Sequence, residues 1–264
     1  MNMIIAFWIA LGGITGAICV VLAATIKSLR KARWGIVATE TMARRGLAID
    51  APGGSFKAYL YTSSDFDGAG AMPGMILLPD CGKKFPAFEH WAAIFALQGL
   101  PTLAIEIETG AKGIPGKDLV EGLVQAFPSF KKALIEHTEV DPGKIGVFAF
   151  GTPALAGLYA GAADGDVKAI CCGGMPRFDD NRAKDANKKV FLVHCKDDEV
   201  APLADFMSNK QALDLGNQDY LLLDRGGHEF ISQEAVIAGF LSIKANRALQ
   251  PRYKQFTPTG VVVP

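Results

Sequence analysis

Short apolar runs alternate along this chain with longer stretches of helical spacing. Gly74-Met75-Ile76-Leu77-Leu78-Pro79 is wholly apolar, as expected of a strand buried on both faces. Pro101–Ile107, Lys144–Phe150, Val167–Cys172, Val190–His194 and Tyr220–Leu223 read the same way. Between them, Phe88–Gly99, Asp118–His137, Pro153–Gly161, Ala201–Gly216 and Ser232–Leu249 have helical spacing, with Pro128 expected to kink or break the second. Ahead of this series, Ala48–Tyr61 reads as a strand, a Pro52-Gly53-Gly54 turn and an alternating strand. Strands alternating with helices predict a mainly parallel, twisted sheet with helices on both faces. The segment from Gln250 to Pro264 carries three prolines and is expected to be an extended tail.

A different pattern opens the chain. No residue from Met3 to Ile26 is charged. As a helix that run would reach roughly 36 Å, enough to cross a bilayer core of about 30 Å with some tilt. Lys27, Arg30, Lys31 and Arg33 follow at once, which predicts a single-pass anchor in membrane lipid with the domain behind it on the cytoplasmic side. Trp8 and Trp34 fall near its two ends, where aromatic rings favour the interface. A cleaved signal peptide is the rival reading, supported by the small residues Leu22-Ala23-Ala24. Against it stand the absence of a basic leader, the length of the run and the basic cluster on its far side. Gly12 and Gly16 form a GxxxG pair that would let a partner membrane helix approach closely, although Gly is common in membrane spans generally. The expected organisation is an anchor with its basic segment over 1–33, an α/β domain over 34–249 and a tail over 250–264.

Composition narrows the function classes. Half of the 264 residues are apolar, enough for one full core. The 27 basic and 27 acidic residues cancel, which argues against a nucleic-acid partner. Cys19, Cys81, Cys171, Cys172 and Cys195 show no CxxC spacing and read as reduced, mostly buried thiols. No metal or cofactor is implied.

The order of elements and five motifs carry a resemblance. "APGGSFKAYL", "GMILLPDCGKKFP", "VDPGKIGVFAFGTPALAGLYA", "VFLVHCKDDEVAP" and "GGHEF" together resemble the dienelactone hydrolase branch of the α/β hydrolases, over residues 46 to 248. In that family the nucleophile stands on a sharp strand-to-helix turn, in a G-x-S-x-G pattern or its Cys variant. The matching stretch is Ala149-Phe150-Gly151-Thr152-Pro153, and the nucleophile position falls on Gly151, which has no side chain. A shift to Thr152 would put Phe150 where a small residue is required. Thr152 is expected instead to cap the helix or supply a backbone N–H. The resemblance assigns Asp198 as the triad carboxylate and His228 as the base, with Asp197 a solvated loop charge. The same two residues could equally be a hydrogen-bonded pair that holds two loops. His194 reads as packing, and His90 and His137 as surface or helix positions. In the oxyanion loop, the N–H groups of Cys81 and Thr152 would form the donor pair, and Asp80 would oppose a developing negative charge there.

Three functions follow as expectations. The first is a non-catalytic pseudoenzyme, an accessory, scaffold or binding subunit of a membrane-associated assembly. The alternative is a hydrolase of carboxylic esters, lactones or thioesters using His228 and Asp198. The third is a binder of a small acyl or aromatic ligand in the cleft.

Overall fold

The computed structural model describes residues 42–63, 71–80, 89–107, 119–178, 182–183, 186 and 190–249. The apolar leader with Gly12 and Gly16, the loop carrying Cys81 and the tail from Gln250 lie outside the described residues. Among the described residues, no helix is long and apolar enough to cross a membrane.

The described residues open with a hairpin, β1 (Met42–Ala51) and β2 (Gly54–Ser63), paired antiparallel from Met42↔Ser63 to Ala51↔Gly54. Gly53 and Gly54 turn it with positive φ, as the Pro-Gly-Gly spacing predicted. Then follow β3 (Met72–Leu78), α1 (Glu89–Leu97), β4 (Thr102–Ile105), α2 (Leu119–Glu136), β5 (Val140–Phe150) and α3 (Pro153–Ala163). The rest is β6 (Val167–Gly173), β7 (Val190–Cys195), α4 (Leu203–Ala212), β8 (Tyr220–Leu223) and α5 (Glu234–Leu249). Among the described residues, one eight-stranded sheet runs β1-β2-β4-β3-β5-β6-β7-β8. The β1/β2 and β2/β4 pairs are antiparallel and every other pair is parallel, so the sheet is mainly parallel.

Strand alternation divides the core between the two faces of this sheet. Ile76, Leu78, Ile145, Val147 and Ala149 pack with α2, α3 and α4. Met75, Leu77, Phe148 and Phe150 point the other way, against α1 and α5. On that second face Trp91 meets Phe148 edge-on at 5.4 Å, and Phe148 lies 4.3 Å from Phe150. Such aromatic pairs contribute about 0.5–1.5 kcal/mol each beyond their buried area. On the first face α3 lies very close to β5. A Cβ added at Gly157 would come within 3.0 Å of both Ala149 Cβ and Val147 Cγ1.

Three sequence expectations are corrected. β1 starts at Met42, six residues before the alternating pattern was read, because ten backbone pairs with β2 extend a strand whose outer side chains are exposed. β5 starts at Val140, across Pro142 and Gly143, and carries a register irregularity against β6 between Ile145 and Gly146. α2 runs unbroken through Pro128, an exposed position, while Leu123, Phe127, Phe130 and Leu134 bury its apolar stripe. Tertiary burial here outweighs the local cost of proline. His90 takes a helix position, as expected, and is buried on α1 beside Trp91. His137, just past α2, is exposed.

Candidate functional site

Strand register places the site. β3 and β5 are parallel neighbours with Leu78 opposite Ala149, so two residues further on Asp80 and Gly151 leave the sheet side by side. Likewise β5 pairs with β6 up to Phe150↔Gly173, and β6 with β7 up to Gly173↔Val193. The carboxyl ends of β3, β5, β6 and β7 therefore meet at one edge of the sheet, where open α/β sheets bind their ligands.

Gly151 forms the turn between β5 and α3. Its φ is +56, a left-handed value that glycine adopts at little cost, and its N–H donates to the Gly173 carbonyl at 2.9 Å. Pro153 begins the helix at a position where no amide hydrogen is needed. Thr152 has helical angles and makes no side-chain cap hydrogen bond, so the expected hydroxyl cap does not form. Phe150 is buried among Phe148, Trp91 and Phe230.

Asp198 follows β7. Its Oδ1 accepts the N–H groups of Val200 and Ala201, each at 2.9 Å, and its Oδ2 lies 2.8 Å from His228 Nδ1. The carboxylate is sealed from solvent at the side chain. Burial raises its pKa, but the hydrogen bonds from His228 and from the two amides outweigh burial and hold it below the ordinary value. His228 stands in the loop after β8. Phe230 anchors that loop in the aromatic core, and the N–H groups of Gly226 and Gly227 donate to exposed Asp197. Asp197 is thus a strut between the acid and histidine loops as well as a surface charge.

Asp80 does what the sequence did not reveal. Its carboxylate points into the space above Gly151, where a Cβ would stand only 2.1 Å from Asp80 Oδ1. Its Oδ2 is 3.3 Å from His228 Nε2. His228 therefore sits between two carboxylates. Burial favours the neutral ring, but the hydrogen bonds to Asp198 and Asp80 prevail and raise the His228 pKa to about 9. The two carboxylates thus favour the imidazolium form of this histidine. Gly174, also unremarked in the sequence, closes the floor: a Cβ there would meet His228 Nδ1 at 3.0 Å and Asp198 Oδ2 at 3.2 Å.

The other chemistry-bearing residues lie outside this arrangement. His194 is buried and stacks on Phe206, as a packing residue should. Cys171, Cys172 and Cys195 are buried, and burial pushes their thiols up, Cys172 and Cys195 to about 12, so none is a ready thiolate. Among the described residues, no group of His, Cys, Asp and Glu is arranged to hold a metal ion.

No family model matches the chain, and no curated protein matches it. Solved structures do. A proposed α/β hydrolase of unknown function from Agrobacterium tumefaciens aligns over 78% of this chain and 97% of its own, with TM-score 0.64 and 14% identity. The fold is the α/β-hydrolase fold. A cold-adapted esterase from an Arctic intertidal metagenomic library aligns over 78% of this chain and 96% of its own, with TM-score 0.58 and 16% identity. A proposed dienelactone hydrolase from Klebsiella pneumoniae covers 79% of this chain and 95% of its own, with TM-score 0.57 and 13% identity.

Proposed function

We propose that this chain is a non-esterolytic member of the α/β-hydrolase fold, held to a membrane by its apolar leader and acting as an accessory, scaffold or binding subunit there. One observation carries the reading. Gly151 supplies no nucleophile, and the carboxylate of Asp80 fills the space that a nucleophile would need. A serine-type reaction also needs a neutral imidazole to take the nucleophile's proton. His228, raised to about 9 between Asp80 and Asp198, is held toward the protonated form that cannot take that proton. The three side chains form an ion triad that ties the ends of β3, β7 and β8 together.

A second reading keeps a hydrolase of esters, lactones or thioesters. It is favoured by the 2.8 Å contact between Asp198 and His228 Nδ1, and by the esterase and dienelactone hydrolase among the structural neighbours. The deciding experiment is an assay of the full chain in mild detergent against short acyl esters, a lactone and a thioester, beside His228→Ala. Absence of turnover in both is the expected result. Turnover that disappears in His228→Ala would overturn the non-esterolytic reading. The membrane role is tested separately, by whether the detergent-extracted protein migrates within a larger complex.

A further inference from the structure

We propose that the open edge of β1 is a dimer interface, on which a second copy of this chain pairs its own β1 antiparallel about Leu47. This goes beyond the accessory role proposed above and needs neither that role nor any chemistry at the strand ends.

An open sheet has two edges, and along each of them every second residue turns its N–H and C=O outward. Among the described residues these edges are β1 and β8. β8 is four residues long, Tyr220–Leu223, and shortness protects an edge. β1 runs for ten residues, contains no proline and pairs with β2 without a bulge. Its side chains from Ala43 to Gly46, at Ala48 and at Asp50 are exposed. A long, straight, exposed edge of this kind is a template for another strand.

The charges on β1 select the occupant. When a strand pairs antiparallel with its own copy, the two-fold axis stands perpendicular to the sheet. Residues equally far on either side of the centre then lie opposite one another on the same face. Centred on Leu47, Arg44 of each chain faces Asp50 of the other, so two ion pairs form in one register. Centred on Arg44, Arg45 or Asp50, a charge faces its own copy. Centred on Gly46, Ala48 or Ile49, no two charges are opposite. Charges placed only to repel other strands would repel in every register, whereas these attract in one. Alternation puts Arg44, Gly46, Ala48 and Asp50 on one face, and the small residues between the charges leave the arginine room to reach across. Arg44 is already oriented there. Its Nε donates to the Tyr61 hydroxyl at 2.9 Å and meets Glu89 at 2.7 Å, while the side chain stays 44% exposed. A guanidinium has five N–H donors, enough for a second carboxylate.

The test is site-directed disulfide formation in the full chain, in mild detergent, with Cys19→Ser and Cys81→Ser as background. Residue 47 faces its own copy within disulfide reach, so Leu47→Cys should join two chains on mild oxidation. Residue 43 stands about 27 Å from its copy in the same register, so Ala43→Cys should not. A Gly46→Cys chain mixed with an Ala48→Cys chain should also be joined, at exposed positions that leave the core untouched. Asp50→Lys sets like charges opposite one another at both ends of the pairing and should cut the joined fraction at Leu47→Cys about tenfold, whereas Asp50→Glu should keep it. Absence of joining both at Leu47→Cys and in the mixed sample overturns the proposal. Equal joining at Ala43→Cys and Leu47→Cys, the mark of random collision or of parallel pairing, also overturns it. So does joining that Asp50→Lys leaves undiminished. A dimer by light scattering whose β1 cysteines stay unjoined places the contact elsewhere in the chain and overturns it too.

Discussion

Asp80 and Gly151 act as a pair, and the pairing comes from strand register. Asp198, His228 and the empty turn at Gly151 were each legible in the sequence, because they occupy positions in short local motifs. The direction of Asp80 was not, because it depends on two strands lying in a parallel register that brings residues 71 positions apart side by side. Read locally, Asp80 belonged to an oxyanion loop. Gly174 escaped for the same reason, its neighbours His228 and Asp198 being distant in sequence. A consequence at this scale concerns repair of the turn. Gly151→Ser alone would place Cβ at 2.1 Å from Asp80 Oδ1 and strain a backbone with φ +56. It should cost about 2–4 kcal/mol of stability by urea titration and give no esterase. In an Asp80→Gly background, where the collision is gone and the Asp80–His228 contact is already lost, Gly151→Ser should cost only the left-handed backbone penalty of about 1–2 kcal/mol. An equal cost of Gly151→Ser in the two backgrounds would show that Asp80 does not occupy the space.

At the scale of elements, apolar runs located every parallel strand, since a strand buried on both faces has no polar alternation to obscure it. The ends were harder. The first part of β1 is fixed by backbone pairing and carries Arg44 and Arg45, which no hydrophobic pattern marks. Arg44 earns its place through a local network, donating to the Tyr61 hydroxyl at 2.9 Å and meeting Glu89 of α1 at 2.7 Å. α2 was expected to kink or break at Pro128, and the helix does not break there. Pro128 has no N–H to donate to the carbonyl of Val124, and its side chain is exposed, so little packing compensates locally. Pro128→Ala should therefore raise stability, by about 1 kcal/mol or more. A lower thermal midpoint would mean that the ring shapes the helix. The opposite sign is expected at Gly157→Leu. Ala149 Cβ and Val147 Cγ1 already stand 3.0 Å from the Cβ position, and overpacking of this kind costs about 1–3 kcal/mol.

At the scale of the whole domain, the ion triad joins three segments that the sheet alone leaves separate: the end of β3, the loop after β7 and the loop after β8. Stability should therefore follow the charge on His228. Its pKa rises from an ordinary 6.5 to about 9 on folding, so the native state binds this proton more tightly than the unfolded chain does. The stabilisation is fully present below pH 6.5 and is lost as pH rises through about 9, with a size of a few kcal/mol. Above that pH the neutral ring has a single N–H. Kept on Nδ1, it continues to donate to Asp198 at 2.8 Å and leaves the Nε2 lone pair facing the Asp80 carboxylate at 3.3 Å. That contact turns repulsive, and the end of β3 should loosen first. Asp198 has the opposite sign, since its pKa is depressed on folding. Its contribution is present above the ordinary carboxylate pKa and is lost as pH falls through the depressed one. Urea midpoints measured across the pH scale should accordingly form a plateau in mildly acidic solution and fall toward pH 9. His228→Gln removes the titrating group and should flatten the alkaline arm, while the Asp198 arm shrinks toward what the Val200 and Ala201 amides sustain. An alkaline arm that persists undiminished in His228→Gln would assign it to another group and remove the ion triad as the device that holds these three segments.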